Sequence, residues 1–138
     1  MQTSDKPVPP PVFCADDRQG IFDYVVAHLL QQNERSTQPK NPNRCAKNPN
    51  RCAYRGVHGL QCAVGCLIPD ERYVGEIENG DASTSPVHEA IFGKNASVPP
   101  ETAMLLFLLQ QVHDSCEVAS WKRTLKLAAT EFNLAWRF

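Results

Sequence analysis

The stretch Cys52-Ala53-Tyr54-Arg55-Gly56-Val57-His58-Gly59-Leu60-Gln61-Cys62-Ala63-Val64 decides how this chain is read. Two apolar-rich runs meet at His58-Gly59. Glycine accepts positive φ without cost, and histidine tolerates it. A two-residue turn there pairs Val57 with Leu60, Arg55 with Cys62, and Ala53 with Val64 on one face, leaving Tyr54 and Ala63 on the other. The reading is a β-hairpin.

Working outward, the pattern turns helical. Residues 16–32 carry Ile21, Phe22, Val25, Val26, Leu29 and Leu30 at helical spacing, with Asp16 or Asp17 as cap and Asn33 at the exit. His28 marks the boundary of that apolar face. On the other side of the hairpin, Gly65-Cys66-Leu67-Ile68 forms a short helix or turn that stops at Pro69. Residues 70–85 are acidic and turn-rich. Ser85-Pro86 opens a short helix, with Ser85 as cap and Gly93 as its end. Pro100 opens a long helix to residue 115. Its run from Met104 to Leu109 is apolar all round, which predicts a central position. A last helix over 119–133 shares the stripe Trp121, Leu125, Ala128 and Phe132. The expected fold is α+β and mostly helical, about four helices with one β-hairpin packed on the helical cluster. It forms a single domain over 13–138, after a flexible Pro-rich arm at 1–12 and with a basic loop insertion at 34–51.

The chain has 138 residues, 42% apolar and 21% charged, which excludes full disorder. Its net charge of -1 excludes a globally basic nucleic-acid coat. That figure is a cancellation between blocks. Residues 1–34 carry a net -3, residues 35–69 a net +6 with no acid, residues 70–117 a net -7, and residues 118–138 a net +3. The basic block either lies against the protein's own acidic half or meets an anionic ligand or nucleic acid. In the second case Arg44, Lys47, Arg51 and Arg55 bind the anion and Tyr54 stacks. Arg55, set among apolar neighbours, also reads as a structural arginine paired with Asp70, Glu71 or Glu76. No phosphate-binding glycine motif is present.

Within the basic block, Lys40-Asn41-Pro42-Asn43-Arg44-Cys45-Ala46 recurs as Lys47-Asn48-Pro49-Asn50-Arg51-Cys52-Ala53. A perfect tandem heptapeptide records a short duplication, which a surface loop absorbs cheaply. Cys52, next to the central motif, is then the structural copy and Cys45 the duplicate.

Six cysteines need a chemistry. Residues 1–12 have no export-type apolar region, and no apolar run approaches the ~18 residues of a membrane span. A cytoplasmic location with reduced thiols is expected, and no membrane partner. Zinc is one use: Cys52, Cys62 and Cys66, with Cys45, His58 or His88 as fourth ligand. The C-x9-C-x3-C spacing lacks paired knuckles, and the hairpin register turns Cys52 and Cys62 to opposite faces, so no cofactor is the preferred reading. Nucleophilic catalysis is another. Arg55 beside Cys62, or a helix start at Cys66, favours a thiolate, with His88 or His113 as base and Asp114 or Glu89 as orienter. No cysteine-hydrolase signature surrounds either thiol, and buried cysteine in an apolar run is common.

The stretch Cys52-Ala53-Tyr54-Arg55-Gly56, followed by Gly59-Leu60-Gln61-Cys62-Ala63-Val64-Gly65-Cys66-Leu67-Ile68-Pro69-Asp70-Glu71-Arg72-Tyr73, resembles a family of small uncharacterised phage, prophage and bacterial proteins. The similarity extends to the Ile21-Phe22 helix and to the region of His113-Asp114 and Trp121, covering most of 20–134. It implies a phage or a bacterium carrying one as source, and no mechanism. The expected function is a non-enzymatic, phage-associated binding or interaction protein, acting on a host protein or defence component in the host cytoplasm. The alternatives are a small cysteine-dependent hydrolase or transferase, and a structural zinc-binding module.

Overall fold

Helix α1 (Arg18–Gln32) buries Ile21, Phe22, Val25, Val26 and Leu29 along one side, as its spacing predicts. Asp17 caps it: its Oδ1 accepts the Gly20 N–H at 3.0 Å. Asn33 closes it in the left-handed region at φ 54°, its N–H on the Leu29 carbonyl. The computed structural model that shows this describes residues 10–37 and 53–138. Most of the expected arm and of the basic loop, with Cys45 and Cys52, therefore lies outside the described residues.

Three further helices follow. Helix α2 (Ser85–Phe92) has Pro86 in its first turn and ends at Gly93, whose φ of 105° few other residues adopt. Its N-cap is Thr84, one residue earlier than the expected Ser85, and the Thr84 hydroxyl donates to the Asp81 carbonyl. Helix α3 (Pro100–Ser115) takes the bounds its proline and apolar run predict. Helix α4 (Trp121–Glu131) starts two residues later than expected because Val118–Ser120 forms a 3-10 turn first. That short connection returns α4 antiparallel to α3, with Leu108 and Val112 alongside Thr124 and Ala128. Helix α1 packs on both. The core is filled by Phe22, Leu105, Leu106, Leu109, Trp121 and Leu125, all essentially inaccessible. Beyond α4 the chain straps α1: Trp136 meets Phe22 edge-on, Arg137 pairs with Asp23 at 2.8 Å, and Gln19 bonds both the N–H and the C=O of Ala135.

The α+β expectation is overturned. Among the described residues there is no β-strand, and the architecture is all-α. The chain does reverse at His58-Gly59, with φ of 59° and 76°, as the turn chemistry predicts. A hairpin ladder does not form. An isolated antiparallel bridge joins Arg55 to Gln61, one residue away from the expected Arg55–Cys62 pair. The reason lies in where the backbone hydrogen bonds go. The Tyr54 and Arg55 N–H groups donate to the Glu78 carboxylate. The Gln61 N–H and C=O are both taken by the Gln32 side chain. Donors and acceptors committed to side chains cannot build a ladder. Past Cys62 the chain coils into the 3-10 turn Gly65–Leu67.

The central position expected of α3 holds, since it packs on both α1 and α4, but one side of it stays open. Met104 is 64% exposed and Phe107 40% exposed. No helix among the described residues is long and apolar enough to cross a membrane.

Candidate functional site

The irregular segment 53–69 is held by polar side chains from every direction. From α1, His28 Nε2 bonds the Gln61 carbonyl at 2.9 Å beside the Gln32 clamp. From α3, the Gln110 Oε1 accepts the Val64 N–H at 3.1 Å. From the start of the basic block, the Ser36 hydroxyl donates to the Ala53 carbonyl at 2.7 Å and reaches that of Leu60 at 3.2 Å. The fit is close enough that a Cβ on Gly65 would sit 2.0 Å from the Tyr54 carbonyl oxygen.

Two of the expected catalytic groups, His113 and Asp114, meet this scaffold. His113 is fully buried near the end of α3. Its Nε2 accepts the Ser36 backbone N–H at 3.0 Å, so Nδ1 carries the proton and donates to Asp114 at 2.7 Å. The ring stacks on Trp121, with centroids 5.5 Å apart. Asp114 also accepts from Gln110 at 2.8 Å. Ser36, His113 and Asp114 thus adjoin, but the hydroxyl of Ser36 points to two carbonyls and only its amide meets the imidazole. Both ring nitrogens are occupied by the fold.

Cys62 is fully buried, and Cys66 nearly so. The Cys62 Sγ accepts the Gly65 N–H, while the Cys66 thiol donates to the Ala63 carbonyl. Burial drives both thiol pKa values well above their ordinary range, which keeps them protonated. Arg55 does not reach Cys62. Its guanidinium pairs with Asp70 at 2.7 Å, donates to the Ile68 carbonyl and lies over the Tyr73 ring at 4.5 Å. The structural-arginine reading therefore holds, with Asp70 chosen from the three candidates. His88 bonds the Ala82 carbonyl and pins the loop before α2.

The expected anion-binding set divides. Arg44, Lys47 and Arg51 lie outside the described residues. Tyr54 is buried, with its hydroxyl donating to the Gly80 carbonyl, so its ring is not free to stack on a ligand. Tyr73 and the backbone N–H groups of Tyr54 and Arg55 converge on Glu78. Burial and that carboxylate push the Tyr73 phenol up to about 12. For zinc, no three potential ligand side chains converge among the described residues. His58 is exposed at the turn, away from the buried Cys62 and Cys66.

The surface feature that sequence reasoning missed lies between α3 and α4. Met104, Phe107, Leu108, Ala103 and Phe132 line a groove of about 450 Å³. It continues past Leu108 and Glu131 into a second hollow of about 590 Å³ against Leu127 and Thr124. Leu127 is 66% exposed. No charged residue interrupts α3 between Glu101 and Asp114. A signal was present: Leu127 falls off the stripe of Trp121, Leu125 and Ala128.

No protein-family model, curated protein or solved structure matches the chain.

Proposed function

We propose that this chain is a non-enzymatic interaction protein that docks a protein partner on the α3/α4 face. The observation that carries the reading is the pair of exposed apolar side chains Met104 and Phe107 on α3, which line a groove with Leu108 and Phe132, with Leu127 lining the adjoining hollow. Apolar side chains clustered on a small surface mark interaction sites more often than chance exposure does. The residues with catalytic potential support the same reading by how they are spent. The imidazole of His113 and the thiols of Cys62 and Cys66 all hold backbone groups inside the fold. A host protein, as the phage resemblance implies, is the partner this reading favours.

The test is site-specific photo-crosslinking of the full chain in bacterial cells. A photoreactive phenylalanine at Phe107 is expected to give a discrete adduct. The same group at Glu89, exposed on α2, is expected to give none, and Met104→Glu to remove the Phe107 adduct without lowering Tm. Adducts of equal yield at both positions, or none at Phe107, overturn the reading.

A further inference from the structure

A separate hollow of about 400 Å³ lies along α2 and shares no lining residue with the α3/α4 groove. Pro86, Glu89 and Ala90, spaced i, i+3 and i+4, give it one face of the helix. Arg72, Val74 and Ile77 form the facing wall, and Lys94, just past the Gly93 that ends α2, completes the rim.

Two contacts orient the walls. At the C-terminal end of α2, Arg72 Nη1 donates to the Ile91 carbonyl at 3.1 Å, and a Cβ on Gly93 would sit 3.7 Å from the same nitrogen. At the N-terminal end, Gly80 lies against the capping residue Thr84, where a Cβ on Gly80 would come 2.9 Å from Oγ1. The segment 72–80 therefore runs antiparallel to α2. Arg72 and Lys94 stand at one end of the slot, Ile77 and Pro86 toward the other, with Val74 and Ala90 between them. Val74 is 52% exposed, an apolar wall left to solvent.

The cationic end is only partly spent on the fold. Arg55, in the same stretch of chain, is engaged by Asp70, the Ile68 carbonyl and the Tyr73 ring. Arg72 caps a carbonyl at the end of α2 with one nitrogen. Among the described residues no carboxylate pairs with Arg72 or with Lys94. The rest of a planar guanidinium fork is thus available beside an apolar slot, and its geometry matches a carboxylate. Two cations and one acid line the hollow, so it offers a single net positive charge. That balance suits a monoanion, because a dianionic phosphate meets stronger repulsion from Glu89.

We infer that the α2 slot binds a small monocarboxylate with an apolar body. The carboxylate lies on Arg72 and Lys94, and the body runs along Val74 and Ala90 toward Ile77 and Pro86. A few convergent polar groups at one end of an apolar hollow are the usual form of a small-molecule site. This site is independent of partner docking on the α3/α4 face, and a small-molecule occupant leaves the expectation of no protein adduct at Glu89 unchanged.

The probe is sodium hexanoate, titrated into the isotope-labelled full chain and followed by the backbone amide resonances. Saturable shifts are expected at Val74, Ala90, Gly93 and Lys94, with a Kd in the millimolar range. Hexanol, which keeps the body and lacks the charge, is expected to bind about tenfold weaker. Acetate, which keeps the charge and lacks the body, is expected not to saturate. Arg72→Lys keeps the charge and loses the fork, and should weaken hexanoate about fivefold. Two exposed substitutions leave the Arg72 cap intact: Lys94→Glu should weaken binding about fivefold, and Glu89→Gln should tighten it about twofold, both at unchanged Tm. Absence of saturable binding, equal affinity for hexanoate and hexanol, or shifts centred on Met104 and Phe107 overturn the inference. Hexyl phosphate binding tighter than hexanoate does so too, as do Lys94→Glu and Glu89→Gln variants that bind hexanoate as the wild type does.

Discussion

The backbone N–H of Ser36 donates to Nε2 of His113 at 3.0 Å, joining residues 77 positions apart in the chain. The same imidazole gives its other nitrogen to Asp114 and its face to Trp121. One buried ring thus fixes the segment leaving α1 to the end of α3. Arg35 reinforces the joint, donating to the His113 and Cys116 carbonyls that α3 leaves unpaired at its C-terminus. His113→Leu orphans the Ser36 N–H and takes one of its two donors from the Asp114 carboxylate. A loss of about 2–4 kcal/mol in urea unfolding is expected. A loss below about 0.5 kcal/mol would show that the joint is dispensable.

Acid should loosen the clamp between α1 and the central segment. Burial lowers the pKa of His28 below 6.5, with nearby His113 adding to the effect and the Gln61 carbonyl opposing it. The unfolded chain therefore binds more protons than the folded one just below pH 6.5. The contribution of neutral His28 is full above the unfolded value and is lost as pH falls through the lower folded value. The urea midpoint is expected to drop as pH falls below 6.5, and His28→Gln to flatten that part of the curve. A curve of unchanged slope in the variant would remove His28 as its source.

Thiol labelling should follow burial. Cys14 is exposed, Cys116 half-buried, and Cys62 and Cys66 enclosed with their sulfurs bonded to backbone. Among these four, mild iodoacetamide should reach Cys14 first, while Cys62 and Cys66 react only at the rate of global unfolding. Peptide mass spectrometry reads each site. Rapid labelling of Cys62 in the native protein would revive a thiol mechanism.

Two glycines make a controlled pair. At Gly65 a Cβ meets the Tyr54 carbonyl at 2.0 Å, and backbone cannot step aside as a flexible side chain does. At Gly75 nothing lies within 4 Å. Gly65→Ala is expected to cost about 2–4 kcal/mol, and Gly75→Ala to stay within about 0.5 kcal/mol of wild type. Similar melting temperatures for both variants would contradict the close approach of segment 53–56 to segment 62–66.

The helices were readable from sequence because their signals are local. Asp17, Asn33, Pro86, Gly93 and Pro100 act on the turn that contains them, and the apolar spacing of Ile21 to Leu29 is settled within α1. The central motif was not readable in the same way. The alternation from Ala53 to Val64 resembles paired strands, but beyond the few bonds around the turn its backbone is held by Glu78, Gln32, Gln110 and Ser36, all outside the motif. No spacing rule announces a glutamine on α1 as the acceptor for an amide 29 residues away. The positive φ at His58 and the Arg55–Asp70 pair were legible because each follows from a residue's own chemistry. The groove was missed because an all-apolar helix reads as buried, whereas α3 turns Met104 and Phe107 outward.

One feature of the joint reaches beyond the fold. The Ala53 N–H donates to the Ser36 carbonyl at 3.0 Å, the Ser36 hydroxyl returns a bond to the Ala53 carbonyl, and the Val57 N–H reaches the Thr37 carbonyl. The chain is therefore sealed where it departs at Thr37 and where it comes back at Ala53. A change of length between those gateposts leaves these bonds in place and carries a loop-closure cost of about 0.6 kcal/mol per doubling. Excising one copy of the repeated heptapeptide, or adding a third, should shift stability by no more than that. The gap between Thr37 and Ala53 is a port at which this domain can gain or lose sequence without refolding its core, and the tandem repeat is the mark of its having been used.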